Sequence, residues 1–199
     1  MKKFNKVLIS LFVMSLFTFS AVGQINDNTV TEFTESGKFW FDIGIGNYYT
    51  TDSDYEGFSS NVSFNMLNKS LLYKIRYMIH DELVIFNVTP SEKYQEVGML
   101  IGTGYSVKWF QCFVSGGIGL ISGTQRGDIL YTTPSDWFSL GGTNYYEMDK
   151  FITPSIPIEL ELTLKPIKYM GVGFSLYGNL NLKQSLYGFT IKLGIGKMR

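Results

Sequence analysis

In Ile156-Pro157-Ile158-Glu159-Leu160-Glu161-Leu162-Thr163-Leu164, every second side chain is large and apolar, with Pro157, Glu159, Glu161 and Thr163 between them. After Lys165-Pro166-Ile167-Lys168 the pattern resumes, as Met170, Val172, Phe174 and Leu176 alternate with Gly171, Gly173, Ser175 and Tyr177. It returns once more in Tyr187, Phe189, Ile191, Leu193 and Ile195 against Gly188, Thr190, Lys192, Gly194 and Gly196. A strict period of two is the pattern of a β-strand. One face is bulky and apolar, the other glycine, hydroxyl and charge. Each run matches the roughly 9 to 11 residues a tilted strand needs to cross a bilayer. Residues 150–198 read as the wall of a transmembrane β-barrel.

The earlier chain repeats the pattern. A first strand, residues 38–48, sets Phe39, Phe41, Ile43 and Ile45 against Trp40, Asp42, Gly44 and Gly46. A second, 58–67, sets Val62, Phe64 and Met66 against Asn61, Ser63 and Asn65, and Asn68-Lys69 is its turn. The third starts near Ser70, with Leu71, Tyr73, Ile75, Tyr77 and Ile79 opposite Leu72, Lys74, Arg76 and Met78. Residues 83–88 read as its continuation beyond the membrane. A fourth strand covers 95–107, Lys108-Trp109 turns the chain, and a fifth covers 110–121. Residues 122–149 form the longest break before the three strands described first. The fold expected is all-β, an antiparallel up-and-down transmembrane barrel of eight strands. Ten strands follow if 83–88 and part of the long break add wall.

The first residues read as an export signal. Lys2, Lys3 and Lys6 precede an apolar run from Val7 to Phe19, and Ala21-Val22-Gly23 offers a small-residue cleavage site. The run falls short of the roughly 20 residues a membrane helix needs. The expected organisation is a secretory signal at 1–23, a short polar lead-in at 24–37 and a barrel domain at 38–199. Without the signal, Lys plus Arg falls from 17 to 14 against 17 acids. No basic run or stripe favours nucleic acid. Cys112 is the only cysteine, so no intrachain disulfide forms.

The same alternation fits a soluble barrel with its apolar face turned inward around a ligand. Glycine decides between them. The pairs Gly44/Gly46, Gly102/Gly104, Gly117/Gly119, Gly171/Gly173 and Gly194/Gly196 all lie on the polar face. On a surface in water they would weaken strands for no return. Inside a narrow barrel they make room for long side chains. Short turns also alternate with longer connections, and Phe39, Tyr48, Tyr73, Tyr105, Trp109, Phe110, Tyr169 and Tyr187 gather near strand ends. Both features are outer-membrane habits.

Signal, strands, short turns and larger loops together resemble the small OmpA/OmpX-type barrels of Gram-negative bacteria and other outer-membrane β-barrel domain proteins. The resemblance covers about residues 38–198 and rests on pattern, with no diagnostic motif. It implies a monomer in the bacterial outer membrane, with tight turns inside and larger loops outside. Such barrels usually end in an aromatic residue, whereas this chain ends Lys197-Met198-Arg199.

Asp42, Lys74, Arg76, Glu96, Glu159, Glu161 and Lys192 are the charges on the polar face. An unpaired charge in a low-dielectric interior costs several kcal/mol, so these should pair. Read instead as a catalytic pair, Glu159 and Glu161 would stand about 7 Å apart on one strand. Nothing in the sequence shows a cleft to admit a substrate.

His80 is the only histidine. Some small outer-membrane barrels are lipid-modifying enzymes with a serine-histidine-acid set. Here that set would need His80 beside Asp81 or Glu82 and a serine such as Ser91, Ser122 or Ser185. The plainer expectation is a loop-edge histidine bonded to water or a neighbouring carboxylate. One histidine and one cysteine cannot build a typical zinc site. The Gly-x-Gly pairs lack the third glycine and helix of a dinucleotide fingerprint. No metal or cofactor is expected.

The long break holds Tyr131, Trp137, Phe138, Tyr145 and Tyr146, many aromatics for an exposed segment. Long loops of this kind usually carry function. The same aromatics also suit a hairpin extending strands five and six above the membrane. Arg126-Gly127-Asp128, an adhesion tripeptide, is a weak match in a glycine-rich loop. The expected role is non-enzymatic, in surface interaction or envelope stability through the outer loops. The expected partners are outer-membrane lipid and an extracellular ligand or protein. The alternatives are a narrow channel and the His80 lipid enzyme.

Overall fold

The computed structural model describes residues 37–51, 56–82, 91–133 and 143–198. The strands are β1 (Lys38–Thr50), β2 (Glu56–Asn68), β3 (Leu71–Glu82), β4 (Lys93–Ser106), β5 (Phe110–Thr133), β6 (Thr143–Ile167), β7 (Met170–Asn181) and β8 (Leu186–Lys197). They follow chain order around a closed barrel, each antiparallel to the next. β1 closes the ring on β8, with Asp42 opposite Gly194 and Ile43 opposite Leu193.

Eight strands complete the circle, which corrects the ten-strand alternative. Most of the long break lengthens β5 and β6 instead of adding wall. β4 follows β5 only as far as the Lys93–Thr124 pair, and β7 reaches β6 only at Ser155. Residues 125–133 and 143–154 therefore form a two-stranded ribbon that outruns both neighbours. The signal at 1–23, most of the lead-in and residues 83–88 lie outside the described residues.

The tight turns are Lys69-Ser70, Lys108-Trp109 and Lys168-Tyr169. Asn68 pairs with Leu71, so the first turn sits one residue later than Asn68-Lys69, and Lys69 takes the left-handed conformation (φ 55°). The break expected at Lys165 is strand as far as Ile167, which pairs with Met170 after a register shift beyond Leu164. Pro166 lies in that shift, where a missing N–H costs the ladder least. As a result Lys165 is buried.

Alternation then sorts the side chains. On β1, Phe41, Ile43 and Ile45 are exposed, Ile43 at 58%, whereas Trp40 and Asp42 are buried. The other strands repeat this, leaving an apolar exterior and a filled interior. Small residues stand beside long ones. Lys192 lies between Gly44 on β1 and Gly173 on β7, and a Cβ on Gly44 would come within 2.8 Å of Lys192 Cγ. At Gly46 a Cβ would collide with the Phe189 carbonyl of β8, which cannot rotate away. Gly46→Ala is therefore expected to loosen the closing β1–β8 seam and cost about 1 to 3 kcal/mol, as overpacking does. Urea unfolding in lipid vesicles measures it.

The interior is tiered. Trp40, Leu67, Leu72, Phe113 and Met198 form an apolar floor at the tight-turn end. Tyr48, Met78, Tyr94, Ile121, Tyr177 and Leu186 form a second layer toward the loop end. On β3 the order Leu72, Lys74, Arg76, Met78 places the charges between these layers. Met198 enters the floor because the chain turns inward at Gly196 (φ 146°), where Gly196 N donates to Tyr169 O at 3.0 Å.

Candidate functional site

β3 brings Lys74 and Arg76 into the lumen, β4 Glu96, β6 Glu159 and Glu161, and β8 Lys192. All six are nearly inaccessible, Arg76 at 1% and Glu96 at 0%. Arg76 grips two strands, with Nη2 2.6 Å from Glu96 Oε1 and Nη1 3.0 Å from Glu159 Oε2. Lys192 Nζ lies 2.7 Å from Glu159 Oε1 and also donates to Glu161 Oε2. Lys74 bonds Glu161 Oε2 and stands 3.2 Å from Glu159 Oε1. Three cations thus face three carboxylates, and Glu159 touches all three cations. The tier is electrically closed.

Asp42 is bound differently. Its Oδ2 accepts from Asn65 Nδ2 at 2.8 Å and Ser63 Oγ at 3.3 Å, and no ion pair to it appears among the described residues. Register explains this, because Ser63 lies directly opposite Asp42 on β2, and Asn65 two residues along. The sequence places Ser63, Asn65 and Thr163 on the polar face but does not single them out as partners of the charges; Thr163 donates to Glu161 Oε1 at 3.2 Å. Their inward parity was the signal available. Glu159 and Glu161 are both engaged by the cations of the tier, Glu159 by Lys74, Arg76 and Lys192 and Glu161 by Lys74 and Lys192.

His80 is not a loop-edge residue, and that expectation is corrected. It points inward at 0% exposure, with Nδ1 3.5 Å from Tyr177 Oη and its ring 5.1 Å from that of Tyr48. The parity that faces Arg76 and Met78 inward does the same for His80. The acids expected beside it are engaged elsewhere. Asp81 pairs outward with Lys93 at 3.3 Å, and Glu82 Oε2 accepts from Arg126 Nη2 at 2.6 Å. Ser185 accepts from the backbone N–H of Asn181, and its carbonyl takes the Thr51 N–H. Among the described residues, no hydrogen bond joins His80 to Ser91, Ser122, Ser185, Asp81 or Glu82.

A second polar cluster lies at the loop end and was missed. Glu92 Oε1 accepts from Arg126 N at 3.0 Å and its Oε2 from Tyr94 Oη, while Tyr94 Oη also bonds Gln184 Oε1 at 2.6 Å. Glu82 Oε2 caps Glu92 N at 2.9 Å. These bonds join the base of the ribbon to β3, β4 and the β7–β8 connection. Arg126 lies past the last β4–β5 pair, in the stretch that reads as a long break in the sequence, so no strand face was assigned to it.

Above the cluster, Tyr131 and Tyr145 stack with ring centroids 4.3 Å apart and planes 15° apart. Arg126 lies over the Tyr146 ring at 5.7 Å. Ile129, Leu130 and Tyr131 are all exposed. Trp137 and Phe138 fall outside the described residues.

No family model and no curated protein matches the chain. Solved structures do. The attachment invasion locus protein Ail of Yersinia pestis aligns with a TM-score of 0.54 at 11% identity, over 81% of this chain and 99% of Ail. Neisserial surface protein A aligns with a TM-score of 0.56 at 10% identity, over 81% and 99%. The N-terminal β-barrel domain of Pseudomonas aeruginosa OprF gives 0.51 at 11%, over the same shares. At such identities the likeness is one of fold. The chain has the fold of the small eight-stranded outer-membrane β-barrels, and its apolar exterior is the lipid-facing surface of such a barrel.

Proposed function

We propose that this outer-membrane barrel is a non-enzymatic surface-interaction protein that works through the β5–β6 ribbon. The barrel serves as a rigid mount for it. The observation that carries this reading is the ribbon itself, which outruns its neighbours, displays exposed apolar side chains and is pinned at its base by Glu82 and Glu92. A pinned platform loses little entropy on binding. The lumen supports the reading from the other side, since side chains fill it above and below a charge tier whose members neutralise one another. That arrangement suits a plug better than a channel, and the buried His80 without its acids supports no lipid hydrolysis.

Ail has been crystallised with the heparin analogue sucrose octasulfate. A polyanion of that kind fits the loop end here poorly. Among the described residues there, Glu56, Asp81, Glu82, Asp128, Glu147 and Asp149 outnumber the cations, two of which, Lys93 and Arg126, are already ion-paired. The ribbon's aromatic surface suits an uncharged glycan or a protein face.

Replacing residues 125–151 by a two-residue turn tests the reading. The shortened barrel is expected to fold and insert, yet cells displaying it should lose adherence to surfaces coated with neutral glycans or matrix proteins. Adherence equal to the full-length chain on every coating would remove the ribbon from the function.

A further inference from the structure

The full sequence carries 17 basic and 17 acidic residues, but those of the barrel are unevenly placed along its axis. At the tight-turn end stand Lys38, Lys69, Lys108, Lys168 and Lys197, all exposed or half-exposed. Residues 37–40, 66–73, 105–110, 164–171 and 195–198 make up that end and contain no acid. No ion pair to any of the five lysines appears among the described residues. The lysines are spread around the ring, with one at each tight turn and two where β1 meets β8. An ordinary soluble surface mixes the two signs.

From this arrangement we infer that the lysine collar binds the anionic headgroups of glycerophospholipids in the leaflet around the tight-turn end. The inference rests on the membrane-spanning reading above and adds a lipid class and a side to it. Exposed aromatics lie beside the lysines, Phe39 next to Lys38, Trp109 next to Lys108 and Tyr169 next to Lys168. Such rings settle at headgroup depth, and lysine stems reach from there to the phosphate layer. Lys168 Nζ lies 5.5 Å from the centre of the Tyr169 ring, so ring and cation share one level. The opposite rim, rich in acids, repels the same headgroups. The two ends therefore prefer opposite surfaces.

A lysine near an anionic bilayer surface strengthens association by about fivefold. The test folds the mature chain into nanodiscs of phosphatidylcholine with a minority of phosphatidylglycerol. After mild extraction, the retained lipids are identified by native mass spectrometry. The wild type is expected to keep phosphatidylglycerol several-fold above its share of the bilayer, and the excess should fall with added salt.

The variant Lys69→Asn/Lys108→Gln/Lys168→Gln, which keeps Lys38 and Lys197, is expected to remove most of the excess. Asn is chosen at 69 because it tolerates the left-handed backbone there. Lys108→Gln alone should lower the excess without touching a strained position. Lys93→Gln/Lys150→Gln/Lys183→Gln at the loop end should leave it intact. No excess in the wild type, or an excess lost only in the loop-end variant, would overturn the proposal while the barrel still inserts. A chain that enters no bilayer, neutral or anionic, would refute the membrane reading and this inference with it.

Discussion

Glu159→Leu is expected to cost about 3 to 5 kcal/mol, the range for removing one partner from a buried charge cluster. Glu159 is the hub, lying 3.2 Å from Lys74, 3.0 Å from Arg76 and 2.7 Å from Lys192. Its loss leaves three buried cations facing two carboxylates, with Glu96 committed to Arg76. Restoring the balance should restore most of the stability. In Glu159→Leu/Lys192→Met, Lys74 and Arg76 face Glu96 and Glu161, and the loss should shrink to about 1 to 2 kcal/mol, since apolar replacement of a buried pair is often near neutral. Urea unfolding in lipid vesicles at neutral pH measures both variants. A single-variant cost below about 1 kcal/mol, typical of an exposed pair, would mean that water reaches the tier.

Phe174→Arg tests the opposite face. Phe174 lies midway along β7, opposite Leu162 and Ile191, and its ring stacks on Phe189 at 5.9 Å. All of these face outward. An arginine there sits near the bilayer midplane and is expected to cost about 2 to 4 kcal/mol. At Phe39, beside the tight-turn rim, the same change should cost about 0 to 1 kcal/mol. Ser175→Arg, one residue along, enters the lumen instead, where Ser175 Oγ shares a 2.8 Å hydrogen bond with Thr190 Oγ1. Its damage should come from crowding and be indifferent to depth in the lipid. Insertion of Phe174→Arg equal to wild type would invert the face assignment.

The second of these experiments probes the feature that was most legible. Which residues face lipid follows from parity along each strand, and parity survives small errors in strand ends. Asn68-Lys69 against Lys69-Ser70 is a one-residue error in a turn, and it moves no wall residue to the wrong face. Carried two residues past Met78, the same parity turns His80 inward, but the expectation ended that face at Met78 and set His80 at a loop edge. The rule was right and its range was drawn too short. Lys165 slipped for the same reason, because a strand carried through Pro166 by a register shift looks like a turn in sequence.

Charge pairing was less accessible. A sequence shows that four acids and three bases share the polar face, but not which of them meet. Lys74 reaches Glu161 across the lumen between residues 87 positions apart. That contact depends on strand tilt and on the stagger with which β8 closes on β1. The same stagger leaves Asp42 to an amide and a hydroxyl rather than to a lysine. The Glu82–Glu92–Arg126 cluster depends on β5 running on past its last pair with β4, into residues whose sequence shows no alternation.

Local chemistry alone was enough to specify the alternating strands, the lipid-facing side of each and the crowd of glycines inside, because a pleat sends neighbouring side chains in opposite directions whatever lies around it. Tertiary structure decided the number of strands at closure, the partners of every buried charge, the burial of His80 and Met198, and the projection of the ribbon. Each of these depends on distances across the barrel, which ring size and shear set only once the last strand meets the first.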